Sequence, residues 1–251
     1  MSPLPREFVN HWRERPGEQS FEDALVWHVL LGEQAAVRTV AAGARQRLAG
    51  FGSLHWTPLR WLHLTVQLAG PAAGIGQDVR QEMVARASAR LATTAPVTVT
   101  FSQVYYHPEA IVLVASPAGA LTPVLEAAQA ATREVTGARD VPGRPGGDSA
   151  WVPHLTLCYS TGEQSAAPVI AALGTTLPPC QVTIDRLSLV LQNGPEQLWD
   201  WQRVGDAHLL GGQRRSRPLH PDRSSDRGAG VAGSAGIRSV SSGRNEREPG
   251  C

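Results

Sequence analysis

Lysine is absent from this chain: all 23 basic residues are arginine. Every mechanism that needs a lysine is excluded with it, including Walker A phosphate loops, Schiff bases and ligation through a lysyl-adenylate. Cysteine is scarce. Cys158, Cys180 and Cys251 lie far apart, are odd in number and form no CxxC pair, so neither a disulfide framework nor a zinc cluster is expected. Two buried thiols and a tail thiol are expected instead. No apolar run approaches the roughly 20 residues that cross a bilayer. The opening segment, "MSPLPREFVNHWRERPGEQ", lacks the apolar core of a signal peptide. The expectation is a cytoplasmic protein with no membrane partner. A strong charge of one sign is also missing. Eight arginines and four acids lie from Gly211 onward; taken from totals of 23 and 22, they leave 15 and 18 before it. Such a slightly acidic body is not built as a basic clamp on long nucleic acid.

What is present suits one large domain or two small lobes. The chain has 251 residues, 42% hydrophobic and 18% charged, enough to bury a sizeable core. Apolar strand patterns occupy 24–31, 60–70, 96–104, 110–116 and 152–159. Helical periodicity occupies 33–50, 77–94 and 121–137, and a short helix is expected over 165–174. The segments 181–193 and 197–206 read as a final hairpin. The sum is an α+β chain with strand pairs rather than an alternating parallel sheet. We divide it into an extension (1–23), a bilobal domain (24–210) and an Arg/Gly/Ser-rich tail (211–251) that is expected to be disordered.

Two strands carry the same core. One reads His63-Leu64-Thr65-Val66, the other His154-Leu155-Thr156-Leu157. Side chains alternate faces along a strand, so each histidine shares a face with its threonine while the aliphatic residues take the other. The repeat suggests two similar lobes. If they meet about a pseudo-two-fold axis, two imidazoles and two hydroxyls converge. One imidazole can act as general base and the other as general acid near neutral pH. The hydroxyls can bind the oxygens of a phosphate between them. Metal binding is disfavoured, because isolated His-x-Thr units lack the HxH or HExxH spacing that pairs ligands on one element.

With its paired motifs in "WLHLTVQ" and "PHLTLCYS", the chain resembles the 2H phosphoesterase superfamily, and within it the bacterial 2′-5′ RNA ligase branch, also called RNA 2′,3′-cyclic phosphodiesterases. The resemblance spans about residues 24 to 206. It implies a bilobal α+β fold with a cleft between pseudo-symmetric lobes of antiparallel sheet, no metal and no nucleotide cofactor. It further implies opening of a 2′,3′-cyclic phosphate on RNA or a nucleotide to a 2′-phosphate, with His63 and His154 as acid and base and Thr65 and Thr156 as phosphate ligands. Ligation would be the reversal of phosphodiester hydrolysis, and needs no lysine. A monomer acting on RNA ends or small cyclic nucleotides is expected. A 2′-5′ oligonucleotide or cyclic ADP-ribose phosphate diesterase, and a non-catalytic RNA-end binder, remain alternatives.

Further substrate contacts are read from position. Of Trp27 and His28, strand alternation admits one to the cleft, and Trp27 could stack on a base. Gln67 shares the face of His63 in a regular strand. Tyr159 flanks the second motif on the opposite face but could reach the cleft where the strand ends. Arg144, in the Gly-rich loop before the second motif, is the arginine preferred for a substrate phosphate. His11, His55, His107, His208 and His220 have no partner motif and are given no role.

Overall fold

The strand at Ala24–Leu30 shows how the molecule is layered. Leu25, Trp27 and Val29 enter the main apolar cluster, while Ala24 and Val26 enter a second one on the other face. Both faces of this sheet are therefore covered. The computed structural model describes residues 4–13, 22–137 and 151–212. Arg144 and residues 213–251 of the tail lie outside them.

In chain order the elements are β1 (Glu7–Phe8), β2 (Ala24–Leu30), α1 (Ala35–Arg47), β3 (Leu54–Trp56), β4 (His63–Pro71), α2 (Gln77–Leu91), β5 (Val97–His107), β6 (Ala110–Ser116), α3 (Thr122–Thr136), β7 (His154–Ser160), β8 (Gln164–Ser165), α4 (Ala166–Leu173), β9 (Thr176–Ile184), β10 (Arg186–Gln192) and β11 (Trp201–His208). β1 pairs with β8. The other strands form one antiparallel sheet in the order β11-β10-β2-β4-β7-β6-β5-β9, with β3 also on β7. The halves of that order mirror each other, with the two His-x-Thr strands, β4 and β7, at the centre. They touch at one bridge, Leu64 with Leu155. Beyond it the same edge of β7 runs along β3, where Trp56 faces Cys158.

The helices serve one face. α1 buries Val37, Ala41 and Ala44, a 3.6-period stripe of mostly small residues. α2 adds Met83 and Ala87, and α3 adds Val124 and Ala128. All join Leu64 and Leu155 in the main cluster. α3 stops at Gly137, whose φ of 68° is the left-handed cap a glycine takes without strain. Cys158 and Cys180 are buried free thiols.

One sequence expectation is corrected here. The run 181–193 is two strands: β9 ends at Ile184 on β5, and β10 starts at Arg186 beside β2 and β11. Only Asp185 separates strands that are far apart in sheet order. Consecutive Cα atoms are 3.8 Å apart, so the sheet curls until these strand ends meet. No helix among the described residues is long and apolar enough to cross a membrane.

Candidate active site

The bridge between β4 and β7 sets the geometry. Pairing Leu64 with Leu155 places His63 opposite Thr156 and Thr65 opposite His154 in antiparallel register. The two histidines are then diagonal neighbours on one face, a relation that typically spans about 7–8 Å. That suits a phosphate with a hydrogen bond on either side.

Each motif is followed by the same irregularity. On β4, Thr65 pairs with His28 and Gln67 with Trp27, so Val66 is extra. On β7, Thr156 pairs with Val112 and Cys158 with Ile111, so Leu157 is extra. A bulge of one residue switches the facing of everything after it. This changes two expectations. Gln67 does not stay on the face of His63: it pairs with Trp27, and Leu68 takes the site face beside Val26. Tyr159 moves onto the site face at the corresponding place, packing with Trp199 and Trp201.

The expectation for Trp27 is also corrected. Its ring is fully buried beneath α3, and its indole N–H donates to Thr132 Oγ1 at 3.0 Å. His28 takes the site face instead, its ring centroid 4.3 Å from that of His63. Burial, and next the charge of His63, hold the His28 pKa well below its ordinary value, against a backbone hydrogen bond to Leu64. His28 is thus a neutral ring braced against His63.

The two motif histidines are held alike. His63 Nδ1 lies 2.7 Å from the Trp61 carbonyl and His154 Nδ1 lies 2.8 Å from the Val152 carbonyl. A carbonyl only accepts, so each Nδ1 carries a proton and donates it. Each Nε2 is left to take or give a proton. Burial lowers both pKa values. For His63 the Trp61 carbonyl and Glu196 oppose that effect and His154 adds to it; for His154 the Val152 carbonyl opposes it.

Side chains missed by the sequence reading wall this face. Trp201 stands edge-on to His63 at 4.9 Å and to Trp61 at 4.7 Å. His55 stacks on Trp199 at 4.8 Å. His11, from the segment read as an extension, stacks on Tyr159 at 4.3 Å and lies 3.5 Å from Glu109 and 3.8 Å from Glu196. The Tyr159 hydroxyl donates to Glu196 at 3.3 Å, and burial, then Glu196, push its pKa well up. The one available signal was tryptophan outside regular strands. Trp12, Trp61 and Trp199 lie there, and large rings in connections need something to pack on. Among the described residues, no group of three or more His, Cys, Asp or Glu is placed to hold a metal.

The 2′-5′ RNA ligase superfamily model matches residues 35–196, well over half of the chain. The chain belongs to that superfamily, the 2H phosphoesterases. Superfamily folds are seen in solved structures. TT0787 of Thermus thermophilus aligns with TM-score 0.56 and 20% identity, over 75% of this chain and 98% of that one. E. coli LigT complexed with 3′-AMP aligns with TM-score 0.53 and 13% identity, over 74% and 97%. LigT complexed with phosphate aligns with TM-score 0.50 and 15% identity, over 74% and 97%. At such identities the likeness is one of fold. No curated protein matches the chain. The superfamily match stops short of Trp199 and Trp201 and begins after His11 and His28, so much of the wall lies outside it.

One glycine governs the His63 tether. A Cβ on Gly32 would fall 2.0 Å from the Arg60 carbonyl oxygen, one residue before the Trp61 carbonyl that holds Nδ1. Gly32→Ala must push this turn away. We expect a loss of about 1–3 kcal/mol in stability, measured by urea unfolding, with a fall in any activity that depends on His63.

Proposed function

We propose that the protein is a metal-independent phosphodiesterase that opens 2′,3′-cyclic phosphates on RNA ends or small nucleotides to 2′-phosphates. The observation that carries this reading is the matched pair of imidazoles, each tethered through Nδ1 to the carbonyl two residues upstream, on either side of one bridge. One neutral Nε2 removes a proton from water as its oxygen attacks phosphorus. The P–O3′ bond breaks, and the other, protonated, Nε2 gives its proton to O3′. Thr65 and Thr156 donate hydrogen bonds to the non-bridging oxygens. After turnover the two imidazoles have exchanged protonation states, and solvent resets them. With a 5′-hydroxyl of a second strand in place of water, the same acid–base pair would give a 2′-5′ phosphodiester, O3′ leaving as before, without an adenylated intermediate.

Membership of a phosphoesterase superfamily supports this reading, and so does the shared fold of LigT, which has been crystallised with 3′-AMP and with phosphate. The test is hydrolysis of a 2′,3′-cyclic mononucleotide in EDTA, with the product identified by chromatography. Turnover to the 2′-phosphate is expected. A 3′-phosphate as sole product would overturn the regiochemistry, and activity that EDTA abolishes would overturn the metal-free mechanism.

A further inference from the structure

Beside the histidines lies a cavity of about 270 Å³. It forms where the ends of β2 and β9 meet the 3₁₀ turn Leu59–Trp61 and the start of β11. Two of its walls are shared with the site. Trp61 lines the cavity and its carbonyl accepts from His63 Nδ1, and Trp201 lines it too, with its ring edge-on to that of His63 at 4.9 Å.

Three arginines, Arg60, Arg186 and Arg203, line it with two acids, Glu33 and Asp185, and Asp206 stands beside Arg203, so the charges balance and the anion-binding capacity rests on Arg60. Arg186 is forked on Asp185 at 3.0 and 3.5 Å, and Arg203 reaches Asp206 at 3.2 Å. Arg60 has no carboxylate within ion-pair range among the described residues. Its guanidinium lies over the Trp61 ring, 5.2 Å from the centroid. An exposed guanidinium held over a half-buried indole is suited to a nucleotide phosphate, which meets its fork. The volume falls just below the usual range of ligand pockets, about 300–1,000 Å³, which limits the occupant to one nucleotide at most.

We propose that this cavity binds the penultimate nucleotide of an RNA whose terminal 2′,3′-cyclic phosphate lies between His63 and His154, with Arg60 holding the connecting phosphate. The inference rests on the function proposed above. A cyclic phosphate closes the 3′ end of a chain, so the chain continues only from the 5′ side of the terminal ribose, and a second nucleotide site next to the first takes the preceding residue. Oligonucleotide ends are therefore preferred to cyclic mononucleotides, although the body carries no broad basic face.

The experiment compares a 2′,3′-cyclic mononucleotide with a dinucleotide ending in the same cyclic phosphate, for wild type, Arg60→Gln and Arg60→Lys. Wild type is expected to prefer the dinucleotide in kcat/KM by roughly 10- to 100-fold, chiefly through KM, as one charge-assisted phosphate contact allows. Arg60→Gln should collapse that ratio towards one, and Arg60→Lys should restore part of it. Added salt should shrink the ratio for wild type more than for Arg60→Gln. Equal kcat/KM for both substrates in wild type, or equal losses on both in Arg60→Gln, overturns this inference and leaves the proposed function standing. Failure of wild type to turn over either substrate overturns the proposed function and this inference with it.

Discussion

His63→Ala and His154→Ala are each expected to lower kcat on a 2′,3′-cyclic nucleotide by about 10²–10⁴-fold, the usual worth of one positioned proton-transfer group. The double variant should be little worse than the poorer single one, because acid and base act in one step and their losses do not add. Either single variant retaining wild-type kcat would remove that histidine from the chemistry. The pH profile offers a second check. Burial lowers both imidazoles from their ordinary value, about 6.5. The base must be neutral, so kcat/KM falls below its pKa. The acid must be charged, so kcat/KM falls above its pKa. Both limbs then lie on the acid side of about 6.5, and so does the optimum of kcat/KM. A bound phosphodiester anion favours the imidazolium, so the profile of kcat should sit at higher pH. A kcat/KM that climbs steadily through neutrality would contradict this assignment.

The same shifts make the fold acid-sensitive. His28, His63 and His154 all have folded pKa values below the unfolded one, so the unfolded chain binds more protons. Stability therefore falls as pH drops below about 6.5, and the loss levels off below the lowered folded values. His28 shares in this, its pKa held well below the ordinary value by burial and by the charge of His63, whose ring lies 4.3 Å away.

Trp27→Ala is expected to give the largest stability loss, about 3–5 kcal/mol, with a fall in Tm of roughly 6–20 °C. The ring fills the main cluster under α3 and is fully buried, and its N–H partner, Thr132, is buried as well. Its role in the structure is packing, so KM for substrate should change little in the fraction that remains folded. A large rise in KM with unchanged thermal stability would restore the base-stacking role. Trp27→Phe should keep most of the stability, losing chiefly the hydrogen bond, about 1 kcal/mol.

Much of the candidate site was legible because it is local and repeated. His63-Leu64-Thr65 and His154-Leu155-Thr156 are contiguous, and strand alternation alone places each His with its Thr. Alternation also stated the choice between Trp27 and His28, although it could not say which faced the core. The bulges at Val66 and Leu157 were not legible: nothing in "LTVQL" or "LTLCY" marks an extra residue, because a bulge depends on the partner strand. One such residue in each strand reversed the readings for Gln67 and Tyr159. The break at Asp185 did leave a trace. Aliphatic residues stand at 182 and 184, then at 187 and 189 with the polar Ser188 between, a change of parity that a single strand cannot keep.

The sequence by itself determined the family and the α+β class and singled out the two histidines with their threonines as candidates, because these rest on residue identity and a period of two. The tertiary structure decided which remote groups surround them. His11, His55, Glu196, Trp199 and Trp201 come from three separate segments and share no periodicity, so only the folding of those segments over the β4–β7 bridge could bring them together. The structure also chose the tautomers. Which nitrogen of His63 or His154 faces outward depends on a backbone carbonyl two residues away, whose direction is a property of the folded chain.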